Sequence, residues 1–384
     1  MSELTLVADA VGPVSRGHPW VYRDGLRGSA EVGSVVTLRD PRGGNVGWGL
    51  FDEGPIAVRV LGRESVEPLS KLISRRLSQA DALRTRTIGA DTTGYRVVNG
   101  AGDGLPEIVV DRYGGLAVLR LYSQAWEPHV EDIVEALSGL GWVETIFRRF
   151  GVDRVDGKQG GETLWGPAAP ECMTFLESGL TFIVRPGKGQ KTGFFLDQRE
   201  NRKRIGALSP GRRMVNLFSY TGGFSVYAAV QGAARTISVD ISEPAMEDAR
   251  ENFRLNGLDV DRHVFLCTDV FSWNTDERFD LVVCDPPNLA RRRESDRSAR
   301  GAYKDLARRS GRLVSSGGLL ATASCTARLT RERWEQSIYE GLSPHGEWDW
   351  LEHAGAGMDH PVALGHAEGR YLKFALLRHR VVAR

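Results

Sequence analysis

The sequence lacks the features that would place the chain in a membrane, secreted or metal-binding class. Its first twenty residues contain no long apolar run, so we expect neither a signal peptide nor a membrane span. No C-x-x-C or Cys/His spacing is present, so we expect no metal site. Widely spaced thiols without such a pattern favour the reducing cytoplasm, which we predict as the location. The four cysteines are Cys172, Cys267, Cys284 and Cys325.

The sequence also lacks an excess of charge of either sign. Its 50 basic and 49 acidic side chains leave a formal net charge of +1. A strongly basic composition would predict nucleic-acid binding by itself, whereas here any RNA surface has to come from local clustering. Hydrophobic residues make up 41 % of the 384 residues, enough to form the cores of two or three domains.

Three segments of the chain differ in pattern. Residues 1–66 contain short β-favouring runs broken by Gly and Pro, which predict a small β-barrel. Residues 67–178 begin with a charged connecting helix and continue as strand, strand, strand, helix, strand, which predicts a small α+β domain. Residues 179–384 alternate strands and helices, which predicts an α/β domain with a doubly wound, mostly parallel sheet.

A glycine-containing turn follows the first strand of the α/β pattern. It reads Ser219-Tyr220-Thr221-Gly222-Gly223. Ligands of doubly wound sheets bind beyond the carboxyl ends of the strands, and glycine lets the backbone approach them closely. The turn is not a G-x-G-x-x-G motif, which disfavours a dinucleotide. An ordinary tight turn from strand to helix is the alternative interpretation.

Two acidic residues follow the next two predicted strands. The carboxylate of Asp240 can accept hydrogen bonds from both ribose hydroxyls of NAD or of S-adenosylmethionine. Its alternative role is to cap the helix from Glu243, although Ser242 can do this instead. Asp269 is placed to reach an adenine amino group, and its alternative role is that of a loop acid. Three such features in chain order predict a nucleoside cofactor more specifically than any one of them.

Asp285-Pro286-Pro287 closes the apolar strand 279–284. The prolines remove a backbone donor and hold the chain away from helical geometry, so the Asp285 side chain stays fixed at the strand end. Such an edge can hold the polar side of a flat base beside a methyl donor. The alternative is a strand that simply ends in a polyproline turn.

Cys325 follows the predicted strand 319–324, which returns beside the strand that ends at Asp285. Carbon 5 of a pyrimidine accepts a methyl group only after a nucleophile has added to carbon 6, and a thiolate is suited to that addition. A buried structural cysteine is the alternative, and position alone does not decide between the two. Cys284 alternates with Asp285 along one strand, so we expect Cys284 to face the packing.

Two long strings resemble a known family. Residues 189–202 read GQKTGFFLDQRENR and residues 216–229 read NLFSYTGGFSVYAA. They resemble the bacterial 5-methylcytosine methyltransferases of large-subunit ribosomal RNA, and the likeness extends over nearly the whole chain. It implies a PUA-like RNA-binding barrel at 1–66, the small α+β domain at 67–178, and a Rossmann-like class I methyltransferase domain at 179–384. The implied cofactor is S-adenosylmethionine, the implied partner is ribosomal RNA, and Cys325 corresponds to the family's nucleophilic thiol.

The resemblance also implies roles for the segment before the glycine turn, whose residues approach the cofactor or order the loop over it. Paired aromatics such as Phe194-Phe195 more often pack a domain junction. The chain departs from the family at Thr326-Ala327 and at Asn288-Leu289. The predicted catalytic residues are Cys325 and Asp285. The predicted cofactor residues are Phe195, Asp197, Gln198, Arg199, Phe218, Ser219, Tyr220, Thr221, Gly222, Gly223, Asp240, Ile241, Ser242, Asp269, Val270, Asp285 and Pro286.

Basic residues crowd the segment after the proline pair. A phosphate-binding surface beside the active site would explain this placement, and a solvated helix is the alternative. The predicted RNA contacts are Arg291, Arg292, Arg293, Arg297 and Lys304. Three other functions stay open: a guanine N-methyltransferase in which Cys325 is structural, an RNA-binding ribosome-assembly factor without turnover, and an NAD enzyme. The oligomeric state also stays open, with a homodimer as one arrangement.

Overall fold

The computed structural model describes residues 2–150, 160–188, 191–289 and 296–381. The chain forms two compact units. The first comprises Met1–Gly179, Val184–Leu196 and Met358–Gly369, and the second comprises Leu180–Ile183, Asp197–Gly357 and Arg370–Arg384. No helix within the described ranges is long and apolar enough to cross a bilayer.

The described residues of the first unit include a six-stranded sheet, a five-stranded sheet, the separate strand Met173–Glu177 and three α-helices. Its strands are β1 Ser2–Leu6, β2 Trp20–Tyr22, β3 Leu26–Arg27, β4 Val35–Arg39, β5 Asn45–Phe51, β6 Ile56–Gly62, β7 Gly94–Asn99, β8 Ile108–Tyr113, β9 Leu116–Leu121, β10 Thr145–Arg149, β11 Gly161–Trp165 and β12 Met173–Glu177. Its helices are α1 Ala8–Ser15, α2 Leu69–Thr87 and α3 Val130–Ser138. The sheet orders are β2-β6-β5-β4-β1-β3 and β11-β10-β9-β8-β7.

Two hydrophobic cores lie among the described residues of this unit, and the second also includes Trp48 and Leu50 of β5. Leu6, Val36 and Phe51 are buried within the first sheet. Helix α2 places Leu72 and Leu77 on one face, and both are buried in the core of the second sheet. The unit contains both the predicted barrel segment and the predicted α+β segment. The boundary between those two segments stays a prediction.

The second unit is built on one seven-stranded sheet. Strand β13 Leu180–Val184 belongs to this unit except for Val184. The sheet strands are β14 Arg213–Leu217, β15 Arg235–Asp240, β16 Val264–Cys267, β17 Phe279–Cys284, β18 Val314–Ser324, β19 Trp348–Ala354 and β20 Lys373–His379. The helices are α4 Arg199–Ala207, α5 Gly223–Val230, α6 Glu243–Leu255, α7 Asp296–Leu313 and α8 Arg331–Leu342. The strand order is β16-β15-β14-β17-β18-β20-β19.

The first five strands of this order are parallel, and the last two pair antiparallel. Strand β17 is central, and its apolar run from Leu281 to Cys284 is fully buried, as a strand covered on both faces requires. This confirms the predicted Rossmann-like α/β fold with a mostly parallel sheet. The sequence patterns did not predict helix α4 or strand β19. Both are rich in charged residues and show no clear period of apolar positions.

Candidate active site

Four parallel strands of the second unit end side by side. Leu217 at the end of β14 pairs with both Val239 and Cys284, so the residues that follow β14, β15 and β17 leave the sheet together. Cys284 in turn pairs with Thr322 of β18, three residues before Cys325. The register therefore gathers the glycine turn, Asp240, Asp285 and Cys325 at one edge of one sheet.

The turn after β14 has an unusual backbone. Phe218 and Tyr220 have φ values of 59° and 47°, a left-handed conformation that side chains other than glycine rarely adopt, and Gly222 has φ 75°. The carboxylate of Asp240 fastens the turn, because it accepts hydrogen bonds from the Tyr220 amide (2.8 Å) and the Ser242 amide (3.0 Å). Asn252 of α6 supports it from behind by donating to the Thr221 carbonyl at 2.8 Å.

The same turn presents polar groups that the protein itself does not satisfy. The hydroxyls of Ser219 and Thr221 are buried, and neither finds a hydrogen-bond partner among the described residues. Beside Asp240, the apolar side chain of Ile241 is 72 % exposed. Buried hydroxyls without partners and an exposed apolar side chain are what a bound amphipathic ligand would cover. These residues therefore fit a nucleoside cofactor with a polar tail.

In the loop after β16, Asp269 and Val270 have partners within the protein, whereas the two buried hydroxyls of the turn after β14 find none in the described part of the chain. Asp269 accepts a hydrogen bond from the Phe271 amide at 3.0 Å, which is the loop-stabilising role considered as its alternative. Val270 is buried in the core of the unit, so its side chain serves packing. The ring of Phe271 is half-exposed and meets Phe218 edge to face at 5.8 Å.

Asp285 is held by amide side chains from helix α4 and the short helical turn before it. Gln198 donates to Oδ2 of Asp285 at 3.0 Å, and Asn201 donates to Oε1 of Gln198 at 2.6 Å. Pro286 is buried and Pro287 is exposed, so the proline pair anchors one side of the loop and faces solvent on the other. The carboxylate orientation that was predicted from the prolines thus has a second support from Gln198.

Cys325 is half-buried and lies beside two ionisable groups. The Tyr303 phenol, which accepts a hydrogen bond from Ser324 at 2.9 Å, has a raised pKa, first because of burial and then because of the negative charges of Cys325, Asp285 and Cys284. The pairing of β17 with β18 brings Cys325 and Asp285 to the same edge of the sheet. On the other side, Lys373 donates to the Thr326 carbonyl at 2.6 Å.

Cys284 has the structural role that the strand alternation predicted. Its side chain is buried, and burial raises the pKa of the thiol to about 12. The hydroxyl of Ser310 on α7 opposes that shift through a hydrogen bond, and the charge of Asp285 adds to it. A thiol in this state does not act as a nucleophile near neutral pH.

The GQKTGFFLDQR string divides between the two units. Gly189 and Gln190 lie outside the described residues. Phe195 belongs to the first unit, where the ammonium of Lys191 lies 4.5 Å from the centre of its ring. Its neighbour Phe194 packs edge to face against Phe175 at 5.1 Å, the packing role considered as the alternative.

The residues after this point belong to the second unit. Asp197 accepts a hydrogen bond from the Tyr371 hydroxyl at 2.6 Å. Arg199 and Arg202 are buried, so their guanidinium groups are not on the solvent-exposed surface of the unit. Arg199 donates to Glu200 at 3.0 Å.

The basic residues of helix α7 fall into two groups. Arg291, Arg292 and Arg293 lie outside the described residues, and Arg297 is exposed. Lys304 pairs with Glu340 of α8 at 3.1 Å, and Arg300 approaches the same carboxylate at 3.4 Å. Charge on this side of the helix is therefore partly neutralised within the protein.

The second group of basic residues lines an open cavity of about 910 Å³ between α7 and the loop before β17. We call it the α7 groove. Arg309 and Arg312 have no ion-pair partner among the described residues, and both are exposed. The lining includes the arginines Arg278, Arg308, Arg309 and Arg312, the aromatics Phe271 and Trp273, and the acids Asp276 and Asp305.

Several residues that shape the site escaped the sequence analysis. Asn201 and Asn252 are buried amides whose roles depend on contacts distant in sequence. Lys373 opens the otherwise apolar strand KFALL, and a charge at such a position was the signal that could have singled it out. Within the described residues, no group of three or more His, Cys, Asp and Glu side chains could hold a metal ion.

Comparison with known proteins identifies the family. The family described as S-adenosylmethionine-dependent methyltransferase matches residues 148–333, and the PUA-like domain matches residues 4–63. The ribosomal RNA large subunit methyltransferase of Deinococcus radiodurans is 38 % identical, over 94 % of this chain and 93 % of that protein. The chain belongs to the ribosomal RNA large subunit methyltransferase family.

Further relatives of this methyltransferase agree with that assignment. The ribosomal RNA large subunit methyltransferase I of Photobacterium profundum is 32 % identical, over 97 % of this chain and 98 % of that protein. The crystal structure of SMU.776 complexed with SAH has a TM-score of 0.89 at 24 % identity and covers 98 % of this chain. At that identity the structure supports the fold alone. The methyl donor of the family is S-adenosylmethionine.

Proposed function

We propose that this methyltransferase transfers a methyl group to carbon 5 of a cytidine in large-subunit ribosomal RNA through a covalent adduct with Cys325. The observation that supports the proposal is the register of β17 and β18, which brings the half-buried thiol of Cys325 and the carboxylate of Asp285, held by Gln198, to the same edge of the sheet. A methyltransferase with a nitrogen acceptor needs no thiol there, because a ring or exocyclic nitrogen is nucleophilic enough by itself.

In the proposed reaction, Cys325 and Asp285 have separate roles. The Cys325 thiolate adds to carbon 6 of the base, and the addition makes carbon 5 nucleophilic enough to accept a methyl group. Asp285, held by Gln198, binds the polar edge of the base and keeps the ring in place. After the methyl transfer a base, for which Asp285 and a water molecule are the candidates, takes the carbon-5 proton. The bond between sulfur and carbon 6 then breaks, the double bond between carbons 5 and 6 re-forms, and Cys325 leaves as the thiolate.

The turn after β14 is the proposed cofactor cradle. S-adenosylmethionine, when bound, supplies an electrophilic methyl group. Asp240 keeps one free lone-pair direction on each oxygen for the ribose hydroxyls, since a carboxylate has about four acceptor sites and the backbone uses two of them. The hydroxyls of Ser219 and Thr221 would bind the polar tail, and Ile241 would cover one face of the adenine.

The α7 groove is the proposed path of the RNA backbone beside the active site. Four arginines against two aspartates give its lining a positive balance, and Arg309 and Arg312 are available to phosphates. The half-exposed Phe271 and the partly buried Trp273 provide faces on which unpaired bases stack. A target base has to leave its helical stack to reach Cys325, so a single-stranded cytidine suits the site better than a paired one.

The remaining parts of the proposal concern the whole protein. The PUA-like domain at residues 4–63 is the proposed second RNA contact. Arg291, Arg292, Arg293, Arg297 and Lys304 stay candidate phosphate contacts. A cytoplasmic location and a homodimer also stay predictions.

A trapping experiment tests the chemistry. In RNA that carries 5-fluorocytidine, fluorine replaces the proton that has to leave, so the adduct with Cys325 persists and is seen as a protein band of increased mass. We expect Cys325→Ser to abolish this band. Cys172→Ser, which changes an exposed thiol in the first unit, is the matched control and should trap fully.

The competing functions predict different results in the same experiment. A guanine N-methyltransferase would form no adduct, and its turnover would survive Cys325→Ser. An assembly factor without turnover would bind RNA, form no adduct and transfer no labelled methyl group. Loss of one 5-methylcytosine from ribosomal RNA in a deletion strain would support the proposed target, and an unchanged pattern of 5-methylcytosine would contradict it.

A further inference from the structure

The ammonium group of Lys373 belongs to a buried residue, which is unusual for lysine. Lys373 begins strand β20, which is enclosed by β18 and β19, and its side chain is only 4 % exposed. A buried lysine normally has a carboxylate partner, because an isolated charge is costly to remove from water. Lys373 has no such partner among the described residues. Nζ donates to the carbonyls of Thr326 (2.6 Å) and Tyr371 (3.3 Å).

The position of Lys373 brings its charge to Cys325. Lys373 pairs with Ser324 in the β18–β20 ladder, and its ammonium binds the carbonyl of Thr326. These two contacts are with the residues on either side of Cys325. Cys325 therefore lies between two residues that contact Lys373, whose ammonium has no carboxylate partner among the described residues, and an ionised Cys325 can supply the missing negative charge.

We propose that Lys373 is a positioning residue that holds Cys325 as a thiolate before the RNA arrives. The inference rests on the proposed function in one respect only, the use of Cys325 as the nucleophile. The ionisation of Cys325 itself can be measured without any RNA.

The charges around Lys373 are consistent with this pairing. Burial, followed by the charge of Arg331 on α8, lowers the pKa of Lys373 to about 8. The thiolate of Cys325 and the carboxylate of Glu332 act in the opposite direction and favour the ammonium. Arg331 is less suited to stabilise the thiolate, because it lies 3.7 Å from Glu335 and donates to the Ala354 carbonyl. Near neutral pH, thiolate and ammonium can therefore coexist.

The test is the rate at which iodoacetamide alkylates Cys325, followed peptide by peptide with mass spectrometry between pH 5 and pH 10. Only the thiolate reacts, so the pH profile gives the thiol pKa. We expect a pKa well below the ordinary value in the wild type, and Cys172 in the same sample provides the exposed reference thiol. In Lys373→Met the pKa of Cys325 should rise by at least one pH unit, which approaches a tenfold loss of alkylation rate at pH values below both thiol pKa values.

Two further variants separate charge from structure. Lys373→Arg keeps the positive charge and should keep Cys325 reactive, whereas Lys203→Met removes an exposed lysine of α4 and should change nothing. Thermal melting identifies any variant that has lost its fold. A wild-type Cys325 with an ordinary thiol pKa would overturn the inference, even if Lys373→Met failed to fold.

Failure of the role proposed for Lys373 and failure of the proposed cytidine chemistry give different results. If 5-fluorocytidine traps no adduct but the low pKa depends on Lys373, the activated thiol is real and the cytidine chemistry is wrong. If the adduct forms and the Cys325 pKa is the same in Lys373→Met, the chemistry stands and the role of Lys373 is wrong.

Discussion

Cys284 ends strand β17 and Cys325 follows the neighbouring strand β18, yet the two thiols have opposite surroundings. Cys284 is sealed in the core, while Cys325 is half-buried and borders Tyr303 and Lys373. Strand alternation was sufficient to predict the fate of Cys284, because neighbouring residues of a strand face opposite sides. The surroundings of Cys325 could not be predicted this way. They depend on β20, which joins the sheet from about fifty residues further along the chain.

The burial of Cys284 predicts a pH dependence of stability. Its pKa is raised from 9.0 to about 12 in the folded protein, so the unfolded chain loses this proton first. The stability contributed by the neutral thiol is complete below pH 9 and is lost as the pH rises through 9 toward 12, by about 1.4 kcal/mol per pH unit.

The measurement compares the melting temperatures of the wild type and Cys284→Ala between pH 7 and pH 10.5. The difference between the two proteins should be constant up to pH 9 and should then shift in favour of the variant. A difference that is the same at all pH values would mean that Cys284 ionises as readily in the folded protein as in the unfolded chain.

At the scale of single elements, the basic residues of helix α7 have different surroundings although they form one cluster in the sequence. The length and basic character of the helix could be predicted, since the pattern indicates a helix over 298–314 and the observed helix is Asp296–Leu313. The sequence could not predict which basic residues of α7 pair with a carboxylate and which face the groove. Glu340 lies on another helix, and the α7 groove depends on the loop before β17. Arg300 and Lys304 share a protein carboxylate, whereas Arg309 and Arg312 face the groove.

This division predicts different effects of mutation on RNA binding. The double variant Arg309→Gln/Arg312→Gln should reduce the dependence of affinity on salt. The slope of log K against log[salt] should fall by about 0.7 for each phosphate of a single strand that the variant no longer neutralises. Arg300→Gln is the matched control on the same helix and should keep the wild-type slope. Fluorescence anisotropy with a single-stranded ribosomal RNA fragment measures both. Equal slopes in all three proteins would show that RNA does not follow the α7 groove.

At the scale of the whole molecule, the chain connects its two units several times. The segment Met358–Gly369 joins β19 to β20 of the second unit but belongs to the first unit. There, Asp359 accepts a hydrogen bond from the Arg96 amide at 3.1 Å, and its carbonyl accepts one from Arg84 at 2.8 Å. The sequence patterns predicted the two kinds of fold, but periodicity cannot reveal a segment that leaves one unit and returns.

Because the segment Met358–Gly369 connects β19 to β20, we predict that a mutation in this segment changes amide hydrogen exchange in both strands of the second unit. In Asp359→Ala the Arg96 amide loses its acceptor, at a cost of about 1–3 kcal/mol, and the segment loosens. Because a loosened segment closes a longer flexible loop between β19 and β20, we expect faster amide hydrogen exchange in both strands. Glu131→Ala, an exposed acid of α3, is the control. Unchanged exchange in β19 and β20 would restrict the effect to the first unit.

The left-handed residues Phe218 and Tyr220 have a consequence for how quickly a ligand can be accepted. Conformations of this kind cost about 1–3 kcal/mol each, and the surrounding fold holds them through Asp240 and Asn252. The turn proposed as the cofactor cradle is therefore held in one shape by the protein itself. Little conformational freedom is left to lose on association, so entropy opposes capture less than it would in a pliable loop.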